Sequence, residues 1–313
     1  EIASCLVGSE MCIRDRVTSF LATTLTQSEE VLTNAVSNVA KVVEEGYEGA
    51  EILGIHFEGP YLNKAHKGAQ PEEYCVKPDV EQFKRYQKAA HGLIKYITMA
   101  VENDEDFTLT KYCSQNNVVV SIGHSNATYE QAVQAYAHGA RSMTHVYNAM
   151  TPFTHRANGL VGGALRIRNM YGEIICDGNH STLAALNNFF TSKGPDYSIM
   201  ITDSLMCKGF PVGTKFDFGG QEVVIYPDGS AHLVEAGNLA GSTLNVNKGL
   251  KILIEDALVP VNYAINACTS NPARCLHVDD RKGTIGVGYD ADLVVLDRDY
   301  EVVQTYCKGV GQK

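Results

Sequence analysis

The sequence predicts an α/β fold: a TIM-like (β/α)8 barrel whose first strand is missing, joined to the remnant of a small β-sandwich domain. Three observations support this prediction. Apolar runs alternate with amphipathic helical runs from residue 17 onward, polar side chains follow the ends of several apolar runs, and short β-type runs replace this pattern after residue 210. Strands that alternate with helices at this spacing are typical of a parallel sheet with crossover helices.

Seven apolar runs are predicted to be barrel strands, whereas closure of a (β/α)8 barrel requires eight. The predicted strands cover residues 17–25, 51–56, 94–101, 118–123, 141–146, 171–176 and 197–202. Helices are predicted between them at 28–46, 79–90, 104–116 and 128–139. Ser28 and Thr128 are suited to cap the first and last of these helices, because their side chains can accept a hydrogen bond from a free backbone N–H.

The sequence of the C-terminal third predicts short strands and two helices in place of the regular strand–helix alternation. Its β-type runs are 215–218, 222–226 and 231–234, its helices are 244–257 and 260–275, and a final hairpin pairs 290–297 with 301–309. We therefore expect a barrel domain at 17–285, with a β insertion at about 213–235, and C-terminal strands of the small β-domain at 286–313. The first segment, 1–16, has no helix or strand period and is expected to be non-native or disordered, which would place the missing strand upstream.

Composition narrows the class of protein. With 313 residues, 44% of them hydrophobic, the chain can bury a large core. A net charge of −10 without a Lys/Arg cluster argues against nucleic-acid partners and against anionic membranes. No apolar run approaches the roughly 18 residues that a membrane span needs. The nine cysteines are odd in number and scattered, which is typical of reduced thiols, so we expect a cytoplasmic protein.

Five side chains of the kind found in metal sites follow the ends of predicted strands: Glu58, His124, His145, His180 and Asp203. In a parallel barrel these positions converge on one mouth, where active sites lie. Neutral imidazoles with a carboxylate suit zinc or ferrous iron and leave a coordination position for water. The combination therefore predicts a metal-dependent hydrolase.

Each of the five has a structural alternative when taken alone. Glu58 could be a solvated loop charge, and His124 and His145 could be hydrogen-bonded structural histidines. His180 could cap the following helix, and Asp203 could be an N-cap aspartate. The metal-site interpretation rests on their joint occurrence at strand ends.

Several motifs together resemble one known family, the N-acetylglucosamine-6-phosphate deacetylases of the amidohydrolase superfamily. The motifs are HFEGPYL at 56–62, GHSNAT at 123–128, THVYNAM at 144–150, DGNH at 177–180 and TDS at 202–204. The C-terminal motifs SNPARCLHV at 270–278 and KGTIGVGYDADLVVLD at 282–297 resemble the superfamily as a whole. The resemblance runs from about residue 17 to the C-terminus.

The resemblance implies roles for individual residues. Glu58, His124 and His145 would ligate a divalent metal, zinc or iron, and Asp203 would be the catalytic acid/base. Substrate contacts would come from Ala69, Gln70, Asn148, Ala149, Asp177, Gly178, Asn179, His180, Leu239, Ala240 and Gly241, with Arg156 binding phosphate. A first-strand His or Gln that helps some members bind a second ion is absent, so the resemblance allows either one or two bound ions. The resemblance also implies a homodimer for the full-length protein, in which a phosphate contact can come from the partner subunit.

The expected reaction is hydrolysis of N-acetyl-D-glucosamine 6-phosphate, a small amino-sugar phosphate, to D-glucosamine 6-phosphate and acetate in amino-sugar catabolism. Metal-activated water would attack the amide, with Asp203 transferring the proton. One alternative is another amidohydrolase, dihydroorotase-like or deaminase-like, acting on a different amide or amine. The absence of a candidate bridging lysine argues against it. A second alternative is an inactive fragment that retains only sugar-phosphate binding.

Overall fold

Seven strands form where the seven apolar runs predict them. In the computed structural model, which describes residues 17–312, the strands are β1 (Ser19–Thr23), β2 (Glu51–Glu58), β3 (Ile94–Met99), β4 (Val119–Ile122), β5 (Ala140–Met143), β6 (Gly172–Ile175) and β7 (Ser198–Ile201). The segment 1–16, expected to be non-native or disordered, lies outside the described residues.

The strands follow one another in chain order. β1 to β5 form a parallel sheet in the order 1-2-3-4-5, and β6 pairs in parallel with β7. Backbone hydrogen bonds from Met143 N to Tyr171 O (3.1 Å) and from Val146 N to Glu173 O (2.7 Å) join β5 to β6. Within residues 17–312, no strand pairing joins β7 to β1. Strands β1 to β7 together form the barrel wall, which has the sequential strand order of a (β/α)8 barrel with seven strands in place.

Helices cover the outside of this wall. Their bounds are α1 (Glu29–Glu45), α2 (Val80–Ala89), α3 (Thr108–Gln115), α4 (Tyr129–Ala137), α5 (Gly159–Arg166), α6 (Leu183–Lys193), α7 (Val246–Lys251), α8 (Val261–Cys268) and α9 (Ser270–Cys275). Ser28 caps α1, as predicted, and Thr128 caps α4 in a reciprocal capping box with Gln131. In the described part of the chain, no helix is both long and apolar enough to cross a membrane.

Two helix predictions need correction. The single helix predicted at 260–275 is divided into α8 and α9 at Thr269, whose backbone (φ −131°, ψ −87°) is not helical. Pro272 explains the division, because it lacks an N–H and is tolerated only in the first turn of a helix. The helix predicted at 104–116 starts at Thr108, because the backbones of Asp106 and Phe107 are left-handed (φ 52° and 53°). The Asp104 carboxylate accepts hydrogen bonds from the first-turn N–H groups of Leu109 and Thr110 at 3.0 and 2.8 Å.

Two small antiparallel sheets follow the barrel strands. The first contains β8 (Lys215–Phe218), β9 (Gln221–Ile225) and β10 (Ala231–Leu233), and the second contains β11 (Leu293–Leu296), β12 (Val302–Cys307) and β13 (Val310–Gln312). The sequence predicted only a two-stranded hairpin at the C-terminus. The third strand arises because Lys308 and Gly309 (φ 50° and 81°) turn the chain back after β12. Two consecutive positive φ angles are typical of a tight hairpin turn.

A partly buried charge cluster, centred on the buried Lys282, attaches the C-terminal sheet to the start of β2. The Lys282 ammonium is 7% exposed and lies 2.8 Å from a Glu51 carboxylate oxygen and 2.9 Å from an Asp290 oxygen. It also contacts Asp292. Burial alone would raise the pKa of Glu51, but hydrogen bonds from Arg281 and Lys282 lower that pKa to about 2. Glu51 is therefore held ionised between two cations.

Candidate active site

Three buried side chains meet at the carboxyl edge of the sheet. A Glu58 carboxylate oxygen lies 2.9 Å from Nε2 of His124 and 3.3 Å from Nε2 of His145. The two Nε2 atoms are 3.0 Å apart, and all three ligand atoms lie within 4.8 Å of one another. Among the described residues, this is the group whose chemistry and spacing suit a metal ion. The three predicted ligands are therefore brought together.

The backbone turns sharply at the two histidines. Each lies two residues past the end of its strand, and the φ angles of His124 and His145 are 48° and 33°. Non-glycine residues adopt positive φ at a cost that surrounding contacts must offset. Before His124, a Cβ at position 123 would lie 2.8 Å from Thr98 Cγ2 and 2.9 Å from Thr144 Cβ, so only Gly123 fits between the neighbouring strands.

The protonation of the site fits a metal. Nδ1 of His124 lies 2.9 Å from the backbone oxygen of His66, so that nitrogen carries the proton and donates it. Nε2 of His124 is thereby left with its lone pair toward the cluster, as a metal ligand requires. Two histidine nitrogens and a carboxylate form the donor set of zinc or iron sites in proteins. The residues present therefore fit a divalent metal.

Electrostatic coupling is strong within this group. Burial alone would raise the pKa of Glu58, but its close contacts with the His124 and His145 rings hold that pKa well below its usual range. Burial would lower the pKa of His145, yet its hydrogen bond and charge interaction with Glu58 raise that pKa to about 9. The Glu58 carboxylate is therefore ionised and attracts positive charge to this point.

Asp203 lies in the same cavity, just after β7. Burial, followed by repulsion from the Glu58 carboxylate, raises the pKa of Asp203 to about 6. Its backbone φ is 50°, and its backbone oxygen accepts a hydrogen bond from Ser242 N at 2.7 Å. Gly241 packs against this turn, since a Cβ there would lie 2.9 Å from the Asp203 backbone oxygen. A carboxyl group with this pKa can both accept and return a proton near neutral pH.

Most of the predicted substrate contacts line the cavity that holds Asp203 and the three ligands. Its volume is about 2410 Å³, and it extends along the open side of the wall between β1 and β7. The predicted residues on its surface are Ala69, Gln70, Asn148, Ala149, His180, Leu239 and Gly241.

Four predicted substrate contacts do not line the cavity themselves. Asp177 supports His180: its carboxylate lies 2.7 Å from Nδ1 of His180 and accepts the backbone N–H groups of Asn179 and His180. Gly178 and Asn179 are exposed in the same turn, and Ala240 is fully buried. Asp177, Gly178 and Asn179 are therefore linked to the cavity through His180, which lines it. Ala240 is linked to the cavity through its neighbours Leu239 and Gly241.

The structure places Arg156 away from the cavity surface. It lies on the exposed loop 152–158 that follows β5, and it is not among the residues that line the cavity. A phosphate contact from Arg156 to the cavity of its own chain is therefore not seen.

The small sheet after the barrel contributes to the rim of the cavity. Gln221 Nε2 donates to the Ala69 backbone oxygen at 2.6 Å, and Gln27 Nε2 donates to the Gly219 backbone oxygen at 3.0 Å. Gln70 Oε1 accepts the backbone N–H of Thr26 at 2.8 Å. The segment with Ala69 and Gln70 is thus held between β1 and the insertion.

Two carboxylates near the site were missed by sequence reasoning. Glu173 on β6 is buried, and burial raises its pKa to about 7. A charged residue inside the apolar run YGEIIC was a signal for it. Glu102 follows β3, at the same edge as Glu58. The signal for it was a carboxylate directly after the predicted strand 94–101.

Comparisons with known proteins agree with this geometry. Residues 4–310 match the Amidohydrolase family. N-acetylglucosamine-6-phosphate deacetylase of Bacillus subtilis (strain 168) is 42% identical over 295 residues, covering 93% of this chain and 74% of that protein. N-acetylgalactosamine-6-phosphate deacetylase of Escherichia coli O157:H7 is 31% identical over 296 residues, covering 95% and 78%.

A solved structure extends the likeness to three dimensions. The crystal structure of N-acetylglucosamine-6-phosphate deacetylase from Pasteurella multocida superposes with a TM-score of 0.89 at 30% identity, covering 98% of this chain and 80% of that one. The fold is thus the TIM-like barrel fold of these deacetylases, and the predicted resemblance is confirmed. The chain belongs to the amidohydrolase family, among its N-acetylglucosamine-6-phosphate deacetylases.

Proposed function

We propose that this protein hydrolyses N-acetyl-D-glucosamine 6-phosphate to D-glucosamine 6-phosphate and acetate in amino-sugar catabolism. The observation that carries the proposal is the shared cavity of Asp203 and the cluster of Glu58, His124 and His145. A carboxyl group of raised pKa next to a metal-ligand set is suited to hydrolysis of an unactivated amide.

Glu58, His124 and His145 would hold one divalent ion, zinc or iron. When bound, such an ion activates a water molecule and polarises the amide carbonyl. The ionised Glu58 and the fixed tautomer of His124 support this role.

Asp203 would take the proton from the attacking water and return it to the departing amine. His180 would bind the substrate, because Asp177 holds its ring in one orientation. Asn148 and Ala149, Ala69 and Gln70, and Leu239 and Gly241 would form the walls that orient the sugar. Holding the amide in this way lowers the entropic part of the barrier.

We also propose a homodimer in which Arg156 binds the phosphate in the partner's cavity. Its place on an exposed loop, away from the cavity of its own chain, supports contact across an interface. A planar guanidinium suits a phosphate dianion. Mixing Arg156→Ala and Asp203→Asn proteins tests this. Hybrid dimers would contain one intact site and regain activity, whereas a mixture as inactive as its components would contradict the proposal.

A cytoplasmic location is part of the same proposal. Seven cysteines in residues 17–312 carry free thiols, which suits a reducing compartment. A substrate that is phosphorylated also suits the cytoplasm. We also propose that the chain divides into a barrel domain at 17–285 and strands of the small domain at 286–313.

The decisive experiment measures acetate release from three substrates after metal removal and zinc or iron addition. They are N-acetylglucosamine 6-phosphate, N-acetylgalactosamine 6-phosphate and unphosphorylated N-acetylglucosamine. We expect metal-dependent turnover of the first, with kcat/KM at least about tenfold above that of the unphosphorylated sugar, because a lost charged contact costs more than ~1.4 kcal/mol. The galactosamine epimer keeps the phosphate but misplaces one hydroxyl, so its kcat/KM should also be lower. A preference for the galactosamine epimer would assign the activity of the Escherichia coli relative instead. Metal-replete protein that releases no acetate from any of them would overturn the proposal.

A further inference from the structure

Glu102 connects two loops of the candidate site through one carboxylate. It lies in the short turn Val101–Asn103, directly after β3. Its Oε1 accepts hydrogen bonds from Asn63 Nδ2 at 2.9 Å and from the backbone N–H of Asn126 at 2.6 Å. Its Oε2 accepts one from the Ser125 hydroxyl at 2.6 Å. Asn63 belongs to the loop after β2, and Ser125 and Asn126 belong to the loop after β4.

The same two loops enclose His124. The backbone N–H of Asn63 donates to the His124 backbone oxygen at 2.9 Å, and Nδ1 of His124 donates to the His66 backbone oxygen at 2.9 Å. The His66 ring in turn pairs with the Asn126 side-chain oxygen at 3.0 Å. Glu102 is the only charged member of this hydrogen-bonded ring, and three of the ring's bonds end on it.

His124 needs this support. Its left-handed backbone (φ 48°) is strained, and a strained conformation persists only when its surroundings over-determine it. If the loops separated, the His66 oxygen would no longer fix the tautomer and the ring orientation of His124. The segment from Asn63 to Gln70, which carries the cavity residues Ala69 and Gln70, would lose the same anchor.

We propose that Glu102 is a positioning residue, which aims Nε2 of His124 at the metal and holds the segment 63–70 at the cavity. The metal part of this inference rests on the proposed function. The carboxylate acts through Asn63, Ser125 and Asn126, whose hydrogen bonds to it are short because the acceptor is charged.

The three hydrogen-bond partners of Glu102 allow a substitution that removes its charge but keeps its hydrogen bonds. Asn63 Nδ2 and Asn126 N can only donate, and both bind Oε1. The Ser125 hydroxyl can also accept a hydrogen bond. A glutamine at 102 can therefore keep its oxygen on Asn63 and Asn126 and direct its amide to Ser125. An alanine loses all three contacts.

Asp104 provides a matched control two residues away. It too accepts three hydrogen bonds, from Leu109 N, Thr110 N and Thr110 Oγ1, but these cap α3 and lead away from the site. Glu102→Ala and Asp104→Ala therefore remove the same number of bonds to a carboxylate. Only the first change reaches the loops around His124.

The first measurement is zinc affinity of metal-free protein, by competition with a chromophoric chelator. We expect Glu102→Ala to weaken zinc binding about 10- to 100-fold, as the loss of groups that orient metal ligands does. Glu102→Gln should stay within about threefold of the unaltered protein, and Asp104→Ala should lower thermal stability with unchanged zinc affinity. Equal zinc affinity of Glu102→Ala and unaltered protein, or equal losses in Glu102→Ala and Asp104→Ala, would overturn the positioning role.

The second measurement does not depend on a metal or on catalysis. Hydrogen–deuterium exchange in Glu102→Ala should accelerate at 63–70 and 124–127, whereas in Asp104→Ala it should accelerate at 108–115. Unchanged exchange at 63–70 and 124–127 would refute the inference even if the protein were an active deacetylase. Accelerated exchange there, when the unaltered protein binds neither zinc nor iron, would support the loop anchor and reject the proposed function instead.

Discussion

The imidazole rings of His124 and His145 meet at a right angle, with ring centroids 4.7 Å apart and Nε2 atoms 3.0 Å apart. Both nitrogens are directed at the Glu58 carboxylate. Two imidazoles and a carboxylate that share one point form a site whose natural occupant is a cation.

Zinc should therefore stabilise the folded protein. A ligand at about 100 times its dissociation constant adds about 2.7 kcal/mol to the free energy of unfolding. We expect the melting temperature to rise with zinc and to fall after chelation. His124→Ala should remove this response, and His91→Ala, at an exposed histidine paired with Glu44, should leave it intact. A zinc response retained in His124→Ala would argue against the assigned ligands.

Asp203→Asn should nearly abolish acetate release while leaving zinc content unchanged. An amide cannot take a proton from water, and loss of a general base lowers kcat by about 10²- to 10⁴-fold. Single-turnover assays with metal analysis would measure both properties. Asp228→Asn, at an aspartate in the exposed turn after β9, serves as the control. Turnover by Asp203→Asn at the rate of the control would exclude the acid/base role.

The rate should fall in acid through protonation of Asp203. Its raised pKa of about 6 means that the basic carboxylate predominates above pH 6 and is lost below it. A cation bound at Glu58 offsets the charge that raises this pKa, so the acid limb of kcat/KM in the loaded enzyme should lie at or below pH 6. An acid limb centred near pH 8 would show that a different group limits the rate.

Gly241→Ala should reduce kcat more than stability alone explains. An added Cβ would lie 2.6 Å from Leu205 Cδ2 and 2.9 Å from the Asp203 backbone oxygen, so it would displace the turn that holds Asp203. Gly237→Ala is the control, since Gly237 also has a positive φ (74°) but open space around its Cβ position. Both variants should lose stability, by about 1 kcal/mol or more. Equal kcat values for the two would contradict the contact with Asp203.

Glu51→Gln should destabilise the folded protein at neutral pH, by about 1–2 kcal/mol, because Lys282 loses one of three anions around it and Glu51 is itself partly exposed to solvent. The folded-state pKa of Glu51, about 2, lies below its ordinary value of 4.5. Its stabilising effect is therefore complete above pH 4.5 and is lost as the pH falls toward 2. Urea unfolding of both proteins between pH 3 and 7 should show the difference shrinking in acid. Glu222→Gln, in the exposed pair with Lys215, should cost less than about 1 kcal/mol.

The sequence predicted the barrel strands and the convergence of the three proposed metal ligands well, for a common physical reason. Buried parallel strands are continuous apolar runs, and their carboxyl ends share one edge, so Glu58, His124 and His145 had to converge. The helix α5, GLVGGALR, escaped prediction because three glycines weaken its helical signal. The contacts of Arg156 and Glu102 could not be predicted from the sequence. Whether a loop side chain faces its own cavity, or which loops a carboxylate joins, depends on tertiary contacts that periodicity does not encode.

The hydrogen bond from Gln221 to the Ala69 oxygen has a consequence for how selectivity can change. The insertion bears on the cavity rim through this loop, whereas Glu58, His124 and His145 lie at or just after the ends of β2, β4 and β5. Substitutions at Gln221, or in the Gly219–Gly220 turn before it, would reshape the sugar-facing wall first. A changed sugar preference could therefore arise from substitutions in the insertion that leave the side chains of Glu58, His124, His145 and Asp203 themselves unaltered.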